Sequence, residues 1–228
     1  MTGITGELIA PLFPLYHYEG IYIMISLYFG LPGAGKTTML AMLAYKFCSK
    51  GVRVYGNIPI AIPGYVQIDN ECVGKYDLSN SVILLDEGTI FADSRDFKNR
   101  SSDAVNKLVF FLLHRHYKCD IYIYTQQWDG LDKRIRVITD RVYYVYKGNI
   151  LGRWITRYYR VPYGIIIPDP KKSASEKLGE IVQGYCKPRL FVRLFQGWVL
   201  RPRWYRYFDS WDAPPLPPLP EKYKPYGS

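Results

Sequence analysis

The chain has 228 residues, 48% hydrophobic and 22% charged, enough for one sizeable globular core with an appendage. No run approaches the roughly 18–20 apolar residues of a membrane span, and four scattered cysteines without a CxxC pair argue against a zinc centre. A net charge of +10 favours polyanionic partners, nucleic acid or an acidic leaflet, where it does not simply keep the surface soluble.

In chain order, residues 1–23 read as a leader: prolines and His17 interrupt the apolar stretch, and no basic n-region of a signal peptide precedes it. Met24, directly before the first strand, is a candidate start of the functional chain. Ile25 to Phe29 is a β-favouring run that enters a glycine-rich loop. From Lys36 to Ser49 the spacing predicts a helix, with Leu40, Leu43, Ala44 and Phe47 on its buried face and Gly51 as its stop. "VRVYGNIPI" supplies a second strand, and the stretch to Gly64 reads as a loop. Ser81 to Leu85 is a continuous apolar strand, the pattern of a parallel sheet buried on both faces. Asp103 to Tyr117 predicts a helix, and "CDIYIYTQQ" the next strand. Two further strands are predicted between Arg141 and Arg160, joined by a turn at Lys147, Gly148 and Asn149.

After Arg160 the composition changes. A short helix is expected at residues 175–183. Gly184 to Phe208 holds six basic residues, eight aromatics and no acid, and the chain ends in a proline-rich, extended tail. The expected organisation is an α/β core at residues 24–160, a basic aromatic extension at 161–210 and a tail at 211–228. The alternation of strands and helices implies a mainly parallel sheet with flanking helices, the P-loop NTPase architecture, with the extension β-rich.

Two motifs carry chemistry. Gly30-Leu31-Pro32-Gly33-Ala34-Gly35-Lys36-Thr37 fits G-x-x-x-x-G-K-[ST], the Walker A pattern, and Thr38 follows. Glycines let backbone N–H groups curl around phosphate oxygens, and the next helix adds the positive end of its dipole. Lys36 can reach the terminal phosphates, and Thr37 can hold Mg²⁺. Val82 to Leu85 then buries a strand that delivers Asp86 and Glu87, a Walker B pattern, at the sheet edge where α/β proteins bind ligands. Asp86 is the second Mg²⁺ candidate, and Glu87 the residue to orient or deprotonate a water. Gln126, closing its strand, is either a γ-phosphate sensor or an exposed amide. Arg134 and Arg136 are either arginine fingers toward a neighbouring subunit or a solvated basic helix face. His114 and His116, two apart, share no helix face and read as surface or packing residues. No N-K-x-D appears, so ATP is favoured over GTP by elimination. The Arg-and-aromatic run near the C-terminus fits base stacking, a membrane interface or a packed sheet extension.

"MISLYFGLPGAGKTT", "VILLDEG" and above all "HRHYKCDIYIYTQQWDGLDKRIR" together resemble the Zot (zonular occludens toxin) family, the assembly and export ATPases of filamentous phages. The resemblance covers roughly Met24 to Arg160. It implies an ATPase driving extrusion of single-stranded DNA phage through the host inner membrane, with Gly30 to Thr38, Asp86 and Glu87 carrying nucleotide binding and hydrolysis. Family members place a transmembrane helix after this domain, and no such span is visible after Arg160. The chain is therefore expected to be cytoplasmic, attached to the inner membrane through a partner protein or its basic aromatic segment. A homo-oligomer working with phage assembly or membrane-export proteins, and with single-stranded DNA or acidic lipid, is the implied setting. A small-molecule kinase, or a nucleotide-bound adaptor that does not hydrolyse, stays open beside it.

Overall fold

The computed structural model describes residues 23–87, 102–128, 130–147, 154–165, 186–188 and 193–209. Residues 1–22 of the leader, the helix expected at 175–183, the turn residues Gly148 and Asn149, and the proline-rich tail lie outside them.

β1 (Ile25–Phe29) is buried at every position, the polar Ser26 included. The phosphate loop follows, and α1 (Lys36–Cys48) begins at Gly35, whose φ of 95° is left-handed. Gly51 at φ 74° then turns the chain out of the helix. The short strands β2 (Arg53–Gly56) and β3 (Tyr65–Gln67) precede β4 (Ser81–Leu85), which is buried throughout. α2 (Ser102–Leu112) leads to β5 (Cys119–Thr125), and α3 (Lys133–Ile138) to β6 (Arg141–Lys147). β7 (Ile155–Arg160), β8 (Tyr163–Ile165), β9 (Cys186–Pro188) and β10 (Leu194–Leu200) complete the strands.

Eight strands form one sheet in the order β10-β7-β6-β1-β5-β4-β2-β3, and β8 pairs with β9 separately. From β6 to β3 every pairing is parallel; β7 and β10 add an antiparallel edge. Because side chains alternate along a strand, Ile25, Leu27 and Phe29 face α2 and α3, whereas Tyr28 faces α1. β1 sits at the centre, so the loop that leaves its C-terminal end emerges over the middle of the sheet.

α2 stops at Leu112, five residues short of the predicted end. Residues 113–118 form turns instead, and Lys118 adopts a left-handed φ of 54° that periodicity does not reveal. The abundant tyrosine has a structural use. Tyr28 on β1 lies in register with Tyr124 on β5 and Tyr143 on β6. Their rings stack at 4.8 and 4.5 Å between centroids, each contact contributing about 0.5–1.5 kcal/mol beyond area burial. Beneath α1 this stack packs together with the aliphatic Val54, Val82, Leu84 and Val145.

Candidate functional site

The two glycine-loop ends are fixed by close packing. A Cβ on Gly30 would meet the Val145 carbonyl oxygen of β6 at 2.3 Å, and one on Gly35 would meet the Thr156 hydroxyl of β7 at 2.0 Å. Thr156 is fully buried and donates to the Ala34 carbonyl at 2.8 Å. The antiparallel edge therefore braces the loop from behind. Leu31, Pro32 and Gly33 are exposed on its outer side, and Ala34, Gly35, Lys36 and Thr38 are buried.

Lys36 donates from Nζ to the carbonyls of Gly30 at 2.9 Å and Leu31 at 3.3 Å. Burial pushes its pKa below the usual lysine range, and the carboxylates of Glu87 and Asp86 pull it back up. Thr37 donates from Oγ1 to Asp86 Oδ2 at 3.0 Å, which joins the two motifs across 49 residues of sequence. Asp86 is buried at the end of β4; desolvation pushes its carboxyl up, opposed by hydrogen bonds from the Glu87 N–H and the Thr37 hydroxyl. Glu87 is half-buried and holds a left-handed φ of 50°, a conformation costing a non-glycine residue about 1–3 kcal/mol. Gln126, exposed at the end of β5, donates from Nε2 to Glu87 Oε1 at 2.7 Å.

Lys36, Thr37, Asp86, Glu87 and Gln126 thus line one open cleft of about 750 Å³, within the size range of small-molecule sites. The left-handed Gly33 and Gly35 curve the backbone into a loop that ends at the N-terminus of α1. Lys147 at the end of β6 brings its Nζ to 3.6 Å from the Gly33 Cβ position, adding positive potential at the loop tip. The donor set fits Mg²⁺ and a polyphosphate. A hydroxyl and a buried carboxylate 3.0 Å apart are hard oxygen ligands, and a divalent cation between them would offset the desolvation that raises Asp86.

Arg134 and Arg136 do not line this cleft. Arg134 donates from Nε to Asp132 Oδ1 at 3.0 Å, beside the N-cap of α3. Arg136 is buried with its guanidinium over the Trp128 ring, so a wholly solvated basic face does not describe it. His114 is buried, with Nδ1 2.7 Å from the Phe111 carbonyl, and His116 is exposed.

Sequence reasoning missed Asn57 and Arg201. Asn57, just past β2, accepts from the Asp86 N–H at 2.7 Å and donates to the Asp86 carbonyl at 2.9 Å. A polar residue at the C-terminal end of a strand was the available signal, without the knowledge that β2 neighbours β4. Arg201 follows β10 and lines the cleft beside Lys36. Among the described residues no helix is long and apolar enough to cross a membrane.

The family model described as Zonular occludens toxin (Zot) matches residues 65–198, more than half of the chain. No curated protein matches. The structure is similar to the crystal structure of the N-terminal domain of zonular occludens toxin from Neisseria meningitidis. The TM-score is 0.50 at 20% identity, covering 82% of this chain and 98% of that one. It also resembles the genome packaging NTPase B204 from Sulfolobus turreted icosahedral virus 2 in complex with AMPPCP (TM-score 0.42, 10% identity, 60% of this chain and 92% of that one). A third likeness is the flagellar accessory protein FlaH from Methanocaldococcus jannaschii (TM-score 0.41, 16% identity, 60% and 77%).

Proposed function

Since this chain belongs to the Zot (zonular occludens toxin) family, we propose that it is a Mg²⁺-dependent ATP hydrolase driving phage assembly and extrusion, or DNA export, at the host inner membrane. The observation that carries the reading is the 3.0 Å hydrogen bond from Thr37 to Asp86. It brings the cation-holding halves of two distant motifs to one point, at the rim of a cradle built for phosphates.

In this reading Lys36 exchanges the Gly30 and Leu31 carbonyls for phosphate oxygens. Thr37 and Asp86 hold Mg²⁺, which supplies neutralisation of charge on the transferring phosphoryl group. Glu87 takes the proton of the attacking water, and Gln126 holds the Glu87 carboxylate and responds when that contact changes. The protein works as a homo-oligomer with phage assembly or membrane-export proteins at the cytoplasmic face of the membrane. Its charge of +10 suits single-stranded DNA or acidic lipid as the polyanion it meets.

ATP turnover of the full chain, alone and with single-stranded DNA or acidic liposomes, tests this. Wild type is expected to hydrolyse ATP, and Lys36→Ala and Asp86→Ala to abolish it. Unchanged hydrolysis in either variant refutes the site. Phosphoryl transfer to a small acceptor well above hydrolysis would make the protein a kinase. Tight binding without turnover in every condition would make it a nucleotide-stabilised adaptor.

A further inference from the structure

The segment after β10 runs back over the phosphate loop. Its start is tied down by the Arg201 N–H donating to the Trp154 carbonyl at 2.7 Å. Two tight turns follow, Arg201–Arg203 and Tyr205–Tyr207. Between them Trp204 is buried, edge-on to Tyr45 of α1 at 5.6 Å and 6.0 Å from Tyr207. Beyond them the Tyr207 carbonyl accepts from the Ala61 N–H at 2.8 Å. The segment is therefore held at both ends and in the middle, the middle contact being on α1, whose first turn lines the cleft.

What this strap presents inward is chemically specific. Arg201, Tyr205, Phe208 and the carboxylate-bearing Asp209 line the same cleft as Lys36, Thr37 and Asp86. Arg201 Nε lies 3.3 Å from where a Gly35 Cβ would sit, so its stem runs against the cradle itself. Of the arginines in the basic aromatic run, Arg203 and Arg206 spread over the rings of Trp204 and Tyr207, at 5.5 and 4.8 Å. Neither lines the cleft. A planar guanidinium at a phosphate cradle is suited to bidentate contact with phosphate oxygens.

We propose that Arg201 binds the phosphate chain of the nucleotide in cis, delivered by the strap as a further cation of the cradle besides Lys36 and Lys147. This assignment rests on the nucleotide site proposed above. It also separates Arg201 from the lipid- or nucleic-acid-facing use that its neighbours in sequence suggest, because its position is inside the cleft.

The test is the affinity of the full-length protein for ADP and ATP, measured by titration calorimetry at several salt concentrations. Wild type, Arg201→Ala, Arg201→Gln, Arg203→Ala and Lys36→Ala are compared. Arg201→Gln keeps two of the three stem methylenes and a neutral polar head, and is the variant to read if Arg201→Ala fails to reach the wild-type melting midpoint. Removing Arg201 is expected to weaken both nucleotides at least ten-fold and to flatten the salt dependence of log Kd, since one charge pair is lost. Arg203→Ala should match wild type in both. Wild-type affinity in the Arg201 variants, or weaker binding with an unchanged salt slope, overturns the proposal. Wild type that binds no nucleotide overturns the underlying site as well. If Lys36→Ala loses binding while the Arg201 variants keep it, the site stands and this inference alone falls.

Discussion

Asn57 grips Asp86 by its backbone from both sides, accepting from its N–H at 2.7 Å and donating to its carbonyl at 2.9 Å. The carboxylate is left to Thr37 and the Glu87 N–H, so Asn57 is a positioning residue for the proposed cation ligand. Asn57→Ala leaves two backbone groups of Asp86 without these partners, at a cost of about 1–3 kcal/mol in stability. A purely structural role would stop there. Positioning predicts in addition that more Mg²⁺ is needed for half-maximal ATP turnover, and an unchanged Mg²⁺ dependence would remove the role.

Glu87 sets function against stability. Its left-handed backbone suits glycine better, so Glu87→Gly should raise stability by about 1 kcal/mol. The same change removes the proposed base and should lower turnover by about 10²–10⁴-fold with nucleotide affinity kept. Denaturant midpoints and single-turnover hydrolysis read the two effects separately. A stabilised variant with wild-type turnover would exclude Glu87 from catalysis.

His114 gives a pH-dependent stability of predictable sign. Its Nδ1 donates to the Phe111 carbonyl, and Nε2 is buried with no hydrogen-bond partner among the described residues. Burial lowers its pKa below the ordinary 6.5. The unfolded chain therefore takes up the proton first, and stability falls as pH drops through 6.5 towards the folded value. Well above 6.5, where neither state is protonated, the group contributes no slope. His114→Phe should flatten the stability profile between about pH 7 and 5; parallel profiles for the two proteins would refute the assignment.

Tyr124 carries a fully buried hydroxyl with no hydrogen-bond partner among the described residues. Burial first, and then Asp86, push its phenol well above the usual range. Tyr124→Phe keeps the ring on Tyr28 and removes the unpaid desolvation, so stability should rise by about 1–3 kcal/mol. A lower melting midpoint would show that the hydroxyl has a partner of its own.

Local pattern was sufficient for β1, the phosphate loop, α1, β4 and β5, because each is specified by its own neighbours: apolar runs, glycine spacing, helical periodicity. The parts that were not legible are those fixed by adjacency in space. Asn57 follows a short strand and matters only because β2 lies beside β4. Thr156 is an ordinary residue of a β-favouring run until β7 closes on the loop. Arg201 is hidden among five similar basic residues, and only the path of the chain after β10 sets it apart. The tyrosines of β1, β5 and β6 signalled strands, but their stacking depends on register, which spacing alone does not encode. β3, at three residues, is too short to show a period.

The brace behind the phosphate loop also has an order in time. Ala34 and the Thr156 hydroxyl that donates to it are 122 residues apart in the chain. At about 5–20 residues per second, the loop leaves the ribosome roughly 6–24 s before its brace is made. The segment that carries Arg201 emerges later still. The finished cradle is a late product of synthesis, although its glycines are among the first residues of the sheet to appear.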